Sequence, residues 1–323
     1  MKILVTGGAG YIGSFMTKRL IDDGNEVVIA DSLERGTEKS IDQRATFEKG
    51  SLLDKNYLKE LFTKHQFDGV IHFAGYISVG ESVKLPELYF SNNFIATTYL
   101  LDQMIESNVK HIIFSSTAAV YGNPQHVPIP EDHPKNPESP YGDSKLMIEK
   151  VLEWYHKSHE LSYVALRYFN ASGAALDGSI GETHQPETHI IPNAIKAALA
   201  STPFTLFGND YPTKDGTCIR DYIHVLDLAE AHVLALQKIL NDNGEYKFNV
   251  GTGSGYSNKE VIDMVQKVSE KTIDVKIEPR RGGDPNELIA DVSRIKSELG
   301  FTPRYSDLET IVSSAWKWHS KTS

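Results

Sequence analysis

The chain has 323 residues, of which 40% are hydrophobic and 24% are charged, as in an average folded protein. This composition excludes a disordered chain and a fibre, and the single cysteine excludes a disulfide-stabilised scaffold. The 33 Lys and Arg residues against 43 Asp and Glu residues give a net charge of −10, which argues against nucleic-acid or anionic-membrane partners. Because apolar runs are too short for a signal peptide or a membrane span, we expect a cytoplasmic protein.

Strand-like and helical segments alternate along the first half of the chain. The predicted strands are Lys2–Val5, Glu26–Ala30, Gly69–Phe73, His111–Ser115 and Tyr163–Arg167. The predicted helices are Gly13–Ile21, Leu58–Lys64, Tyr89–Ser107, Ser144–His156, Pro192–Ala200, Asp227–Leu240, Asn258–Ser269 and Leu308–His319. This alternation predicts an α/β fold with a Rossmann-type, doubly wound parallel sheet.

We expect two domains. Residues 1–172 are assigned to a dinucleotide-binding domain, to which the segment near 219–250 returns. Residues 173–323 are assigned mainly to a smaller, looser α/β substrate-binding domain.

A glycine-rich run lies between the first predicted strand and the first predicted helix. Gly7, Gly10 and Gly13, with Gly8, satisfy the spacing of a dinucleotide-binding turn. Glycines there let the backbone approach a pyrophosphate at the positive end of a helix. Asp31 ends the second strand 18 residues after Gly13, where a carboxylate binds ribose hydroxyls and repels a 2′-phosphate. The pattern therefore favours NAD, although Arg35 nearby leaves NADP open.

A second motif combines Tyr141 with Lys145, four residues apart and so on one face of a helix. A nearby ammonium and a positive nicotinamide ring would together lower the phenol pKa from about 10, making Tyr141 a candidate general base. Upstream, Ser115, Ser116 and Thr117 end a predicted strand, where open α/β sheets bind ligands. The two serines could equally be turn formers.

Together these residues make the chain similar to the extended short-chain dehydrogenase/reductase family, and within it to the UDP-glucose 4-epimerases. The resemblance spans nearly the whole chain, and its later blocks are far more specific than the glycine turn. They include His72-Phe73-Ala74-Gly75, Val79-Gly80-Glu81-Ser82, Asn92-Asn93, Arg167-Tyr168-Phe169-Asn170, Phe207-Gly208-Asn209-Asp210-Tyr211-Pro212, Asp215-Gly216-Thr217, Arg220-Asp221-Tyr222-Ile223-His224-Val225 and Arg280-Arg281 with Asp284.

The resemblance implies roles for individual residues. Thr117 would bind the sugar 4-hydroxyl, Tyr141 would be the base, and Lys145 would bind the nicotinamide ribose. The implied cofactor contacts are Gly7, Gly10, Tyr11, Ile12, Gly13, Asp31, Ser51, Leu52, Phe73, Ala74, Gly75, Asn93, Ser115, Tyr141, Lys145 and Tyr168. The implied UDP-sugar contacts are Thr117, Tyr141, Asn170, Phe207, Arg220, Arg281, Asp284 and Leu288.

The activity that the resemblance implies is reversible epimerisation at C4 through a 4-keto sugar, with tightly bound NAD taking and returning the hydride. It also implies a homodimer whose interface uses the helices near Tyr89–Ser107 and Ser144–His156. Leu100, Leu101, Met104, Leu146, Met147 and Leu152 could fill this interface, or could equally belong to the internal core. No metal site is expected.

Three positions depart from common family patterns. Ser51 stands where an Asp usually contacts adenine, and Ile77 stands where many relatives have a Lys; both suggest fewer cofactor contacts. Leu288 stands where epimerases restricted to glucose and galactose commonly have a Tyr. Leu288 either leaves room for an N-acetyl group or merely packs, and the sequence does not decide between these.

The sequence supports other functions less well. A 4,6-dehydratase usually has Asp-Glu directly after the Thr, whereas this chain has Ala118 and Ala119. A uronate epimerase or decarboxylase needs an extra cation, which we do not find. An NAD-sensing regulator has no need of Thr117, Tyr141 and Lys145 together.

Overall fold

Strands and helices alternate along most of the computed structural model, which describes residues 1–184, 186–282 and 284–322. The strands are β1 Lys2–Thr6, β2 Glu26–Asp31, β3 Thr46–Lys49, β4 Gly69–His72, β5 His111–Thr117, β6 Ser162–Tyr168, β7 Asn170–Ser172, β8 Phe204–Phe207, β9 Ile219–Arg220, β10 Tyr222–His224, β11 Glu245–Val250, β12 Tyr256–Ser257, β13 Val275–Glu278 and β14 Glu287–Leu288. The helices are α1 Tyr11–Asp22, α2 Lys55–Lys64, α3 Val79–Lys84, α4 Pro86–Tyr89, α5 Ala96–Glu106, α6 Pro140–His159, α7 Ile190–Ala200, α8 Val225–Asn241, α9 Asn258–Ser269, α10 Ser293–Leu299 and α11 Leu308–Thr322.

The chain divides into two units, each built from more than one stretch. Unit 1 comprises residues 1–122, 135–167 and 229–248, and unit 2 comprises residues 123–134, 168–228 and those from 249 onward. Within the described residues, no helix is both long enough and apolar enough to cross a membrane.

The central sheet has seven strands in the order β11-β6-β5-β4-β1-β2-β3. Strand β1 pairs in parallel with β2 and β4, β2 pairs in parallel with β3, and β4 pairs in parallel with β5. This order reverses between β1 and β4, and open sheets of this kind bind ligands beyond the carboxyl ends of the strands at such a point. The predicted doubly wound α/β fold is confirmed.

Apolar side chains on the inner strands form the core of unit 1. Val70 of β4 and Ile112 of β5 are fully buried together with Leu100, Leu101 and Met104 of α5 and Leu152 of α6. Of the two alternatives for these four helix residues, the structure supports the internal core, and they do not fill a subunit interface. Leu146 and Met147 keep part of their surface exposed.

The predicted helix Tyr89–Ser107 is interrupted. A π-helical turn over Phe90–Ile95 joins α4 to α5. Such turns are often found at functional sites, and this one carries Asn93.

A buried ion pair joins α6 to the sheet. Arg167 of β6 donates from Nε to Oε1 of Glu149 at 2.9 Å and from Nη2 to Oε2 at 2.6 Å. Ser116 of β5 donates to the same Glu149 Oε1 at 2.6 Å, and the Tyr121 hydroxyl accepts from Arg167 Nη1 at 2.9 Å. Arg167 and Glu149 are each 1% exposed, so neither charge has water to replace its partner.

Unit 2 has small sheets and its own core. Strand β9 pairs with β12 and β14, β13 pairs with β8, and β10 pairs with β7. Buried apolar side chains of α7, α9 and α11, including Ile195, Val261 and Ile311, form the core beside them. In the β9–β14 pair, Leu288 is the register partner of Arg220, which places two predicted substrate residues side by side.

The buried pair leads to a stability prediction. Glu149→Gln should reduce the free energy of unfolding by about 3–5 kcal/mol, because it leaves the buried Arg167 guanidinium uncompensated. The matched control is Glu153→Gln on the same helix, which removes an exposed pair with Lys247 and should cost about 1 kcal/mol or less. Equal urea midpoints for the two variants would contradict this account.

Candidate functional site

The turn between β1 and α1 admits only glycine at two positions. Gly7 has a φ of +72°, and a Cβ there would lie 2.6 Å from the backbone nitrogen of Ala74. A Cβ on Gly13 would lie 2.2 Å from the carbonyl oxygen of Gly7. The turn is therefore tight, and a tight glycine turn lets the backbone approach a ligand closely.

The start of α1 is suited to an anion. Gly10 is the N-cap residue, and within the described chain the first turn has neither a side-chain cap nor an acidic residue. Because the first N–H groups of a helix lack intrahelical acceptors and the helix dipole is positive there, this end favours a phosphate. Tyr11 and Ile12 belong to this turn of helix.

Asp31 lies at the end of β2, beside the glycine turn. Its carboxylate accepts hydrogen bonds from the Ala9 nitrogen at 3.0 Å and the Leu33 nitrogen at 2.8 Å. Burial raises the pKa of Asp31, and the two backbone hydrogen bonds act in the opposite direction. The nearby Arg35 donates to Glu81 at 2.8 Å and lies 4.9 Å from the Tyr76 ring centre, so its charge is already engaged away from a 2′-phosphate.

Five further residues predicted to contact a cofactor lie on the loops that follow β3 and β4, and Asn93 lies in the π-helical turn before α5. The Ser51 hydroxyl accepts from the Leu53 nitrogen at 3.3 Å. Asn93 accepts from the Tyr76 nitrogen at 2.8 Å and donates to the Tyr76 carbonyl at 3.0 Å, so its amide holds the loop after β4. Leu52, Phe73, Ala74 and Gly75 also lie in unit 1, whereas Tyr168 is the last residue of β6 and lies in unit 2.

The start of α6 positions the Tyr–Lys pair. The Ser139 hydroxyl caps the helix by accepting from the Gly142 nitrogen, and Pro140 occupies the first helical position. Both features favour helix initiation at this point. Tyr141 therefore lies in the first turn, and Lys145 lies one turn later on the same face.

Lys145 is buried, with 2% of its surface exposed. Its Nζ donates to the carbonyl oxygen of Ser115 at 2.8 Å and lies 5.0 Å from the Phe114 ring centre. Burial lowers the pKa of Lys145 to about 7. The ammonium is therefore held at the end of β5 and readily loses its proton near neutral pH.

Tyr141 is placed between Thr117 and Tyr89. Burial raises the pKa of the Tyr141 phenol, and a hydrogen bond with the Thr117 side chain acts in the opposite direction. The Tyr89 ring meets Tyr141 edge-on at 6.4 Å. Thr117 also accepts from the Ala119 nitrogen at 3.1 Å. The structure thus brings Thr117, Tyr141 and Lys145 together, but the protein alone does not lower the pKa of Tyr141.

In unit 2, arginine and acidic side chains form a second cluster. Arg220 pairs with Asp284, which also accepts from the Cys218 thiol at 3.6 Å. The Arg281 guanidinium lies 4.1 Å above the centre of the Phe207 ring. Four of the predicted substrate residues are therefore held in two neighbouring pairs.

A cavity of about 450 Å³ opens in unit 2, bordered by Phe207, Arg281 and Asp284. Asn170 lies apart from this lining, and its amide donates to the Asp221 carbonyl at 3.0 Å. Residues of α7, including Asn193 and Lys196, form another wall. Sequence reasoning missed these two residues, although polar side chains on an otherwise apolar helix were an available signal.

The glycine turn, the Asp31 carboxylate and the helix that carries Tyr141 and Lys145 are typical of a dinucleotide-binding protein. A model of the "NAD dependent epimerase/dehydratase family" matches residues 3–251. The chain belongs to this family.

The relatives carry more specific names. A UDP-glucose 4-epimerase of Lactobacillus helveticus is 46% identical over 320 residues, covering 99% of this chain and 97% of its own. The crystal structure of UDP-glucose 4-epimerase from Brucella ovis in complex with NAD is 44% identical, has a TM-score of 0.95, and covers 98% of this chain and 97% of its own. The UDP-Glc/GlcNAc 4-epimerase of Campylobacter jejuni is 41% identical with a TM-score of 0.87, covering 99% of each chain.

Proposed function

We propose that the protein interconverts UDP-glucose and UDP-galactose by reversible epimerisation at C4. The observation that carries the proposal is the convergence of Thr117, Tyr141 and Lys145 at the carboxyl end of β5. The full-length similarity to UDP-glucose 4-epimerases supports the same reaction.

The residues of unit 1 fit a dinucleotide. A Cβ at Gly7 would meet the backbone of Ala74, and a Cβ at Gly13 would meet the Gly7 carbonyl, so the turn keeps its shape only with glycine at both positions. The N–H groups at the start of α1 would bind the pyrophosphate. Asp31 would accept from ribose hydroxyls. When bound, NAD would supply reversible hydride acceptance at C4 of the sugar, leaving a 4-keto sugar to be reduced on its other face.

The protein's own residues would move the proton. Tyr141 would take the proton of the 4-hydroxyl, and Thr117 would orient that hydroxyl. Because burial raises the pKa of Tyr141 in the protein alone, positive charge must lower it before the phenol can act as a base. The charged form of Lys145 is one source, and it is favoured below a pH of about 7.

Unit 2 would bind the nucleotide. The cavity bordered by Phe207, Arg281 and Asp284 has the size of a small-molecule pocket. Phe207 would stack on uracil, Arg220 and Arg281 would bind the diphosphate in the forked geometry of guanidinium groups, and Asp284 would bind the ribose. Asn170 and Leu288 are proposed to complete the UDP-sugar contacts, whereas Tyr168 is proposed to contact the cofactor.

The proposed base leads to an activity prediction. Purified protein incubated with UDP-galactose, without added NAD, should form UDP-glucose, as measured by chromatography of the nucleotide sugars. Tyr141→Phe removes the proton acceptor and should lower turnover by about 100-fold or more.

Two threonine variants serve as the matched controls. Thr117→Ser keeps the hydroxyl and should lower turnover only slightly, whereas Thr117→Ala removes the hydroxyl and should reduce turnover. Full activity in Tyr141→Phe would disprove the assignment of the base, and no conversion by the unmodified protein would disprove the function.

Leu288 leads to a prediction about substrate range. We infer slower interconversion of UDP-N-acetylglucosamine and UDP-N-acetylgalactosamine, because leucine lacks the ring and hydroxyl of a tyrosine. The relative from Campylobacter jejuni, whose name includes both sugar types, supports this inference. Leu288→Tyr should abolish the N-acetyl activity and spare the other in a side-by-side assay. If the unmodified protein never converts the N-acetyl pair, Leu288 does not open the pocket.

We also infer a cytoplasmic homodimer that uses the surfaces of α5 and α6. The large apolar side chains of Ile95 and Trp154, beside α5 and on α6, are 38% and 66% exposed, and such surface favours association. Sedimentation at micromolar concentration should show a particle of twice 36.0 kDa. A particle of one chain mass alone would contradict the dimer.

A further inference from the structure

Four potential ligands lie together in unit 2, in the segment that precedes α7. Glu182, His184, Glu187 and His189 each present one donor atom, and these atoms all lie within 4.8 Å of one another. His184 Nδ1 lies 2.6 Å and His189 Nδ1 lies 2.9 Å from the same Glu182 oxygen, and His189 Nδ1 lies 2.8 Å from Glu187 Oε1. We propose that this cluster binds one divalent transition-metal ion, best suited to Zn²⁺.

A second observation separates this cluster from an ordinary hydrogen-bonded network. The Glu187 side chain is only 4% exposed, and its Oε2 atom is buried without a hydrogen-bond partner among the described residues. The Oε1 atom of Glu187 accepts from the backbone nitrogens of Thr188 and His189 and contacts His189 Nδ1, whereas Oε2 shares none of these contacts. A cation bound to the carboxylate would compensate both oxygens, which buried polar atoms require.

The donor set selects the kind of ion. Two imidazole nitrogens with two carboxylate oxygens are ligands that Zn²⁺ accepts in a tetrahedral site. Mg²⁺ and Ca²⁺ prefer oxygen ligands only. Two neutral imidazoles, two carboxylates and a divalent ion sum to zero charge, which suits a site where both glutamate side chains are almost fully buried.

The four donor atoms would need to move only slightly to bind the ion. Metal–ligand distances of about 2.0–2.2 Å imply separations of about 3.3 Å between tetrahedral donors, a value between the 2.6 Å contact and the 4.8 Å limit seen here. The His189 side chain is 40% exposed and that of His184 is 25% exposed, so an ion can enter from solvent.

The site would also fix one wall of the cavity. His189 is the N-cap residue of α7, and its neighbours Thr188 and Ile190 line the cavity. The ion would therefore hold the start of this helix in place.

The test is a Co²⁺ titration of chelator-treated full-length protein, followed by visible absorption. One equivalent per chain should give the intense absorption of tetrahedral Co²⁺, and Zn²⁺ should displace it. Glu187→Gln and His184→Ala should each weaken binding by about 10-fold or more.

The matched control is His65→Gln, which removes a histidine–glutamate contact of 2.8 Å in unit 1 and should leave the titration unchanged. Circular dichroism checks that each variant folds. If Glu187→Gln does not fold, the test rests on His184→Ala, because the His184 side chain is partly exposed. No saturable tetrahedral signal, or equal affinity in the folded variants and the control, would overturn the proposal.

Discussion

The buried pairing of Arg167 with Glu149 determines where the reactive side chains of unit 1 lie. Through Glu149 it holds α6, through Ser116 it holds β5, and through Tyr121 it holds the turn after β5. Tyr141 and Lys145 lie on the same helix as Glu149, and Thr117 follows Ser116 directly. One ion pair therefore helps to position all three members of the proposed catalytic group.

This arrangement carries an electrostatic cost. Lys145 and Tyr141 are held where burial disfavours the charged form of each, so the pKa of the amine falls and that of the phenol rises. Without a further charge, both groups tend towards neutrality. In the proposed reaction, the positive charge of the cofactor would therefore be needed to favour the phenolate form of Tyr141.

Much of the fold could be predicted because hydrophobic periodicity and turn residues act locally. The strands β1, β2, β4, β5 and β6 lie within two residues of the predicted segments, and α9 matches its predicted range. Strand β3, with the sequence Thr-Phe-Glu-Lys, was missed because a four-residue edge strand has little apolar content. The π-turn before α5 left no periodic signal, since it adds one residue to a helix that is otherwise regular.

The chemistry of the candidate site was less accessible from the sequence. Spacing alone placed Tyr141 and Lys145 on one face, but the direction of their pKa shifts depends on burial, which only tertiary packing determines. The cluster before α7 was missed for a related reason. Its four donors, Glu182, His184, Glu187 and His189, are spaced irregularly along the sequence, and only the fold shows that their side chains converge.

The stacking of Arg281 on Phe207 has a consequence for selectivity. A ligand that stacks on the face of the Phe207 ring covered by Arg281 would have to displace the guanidinium. Ligand binding would then exchange one stacked partner of the ring for another. A free base would stack on Phe207 but would leave Arg281 without its stacking partner. A free diphosphate would bind Arg281 but would leave the Phe207 ring without its stacking partner. Only a molecule with both parts would compensate both losses. Recognition of the base and of the diphosphate would thus be thermodynamically coupled, and fragments of the nucleotide would compete poorly with the whole.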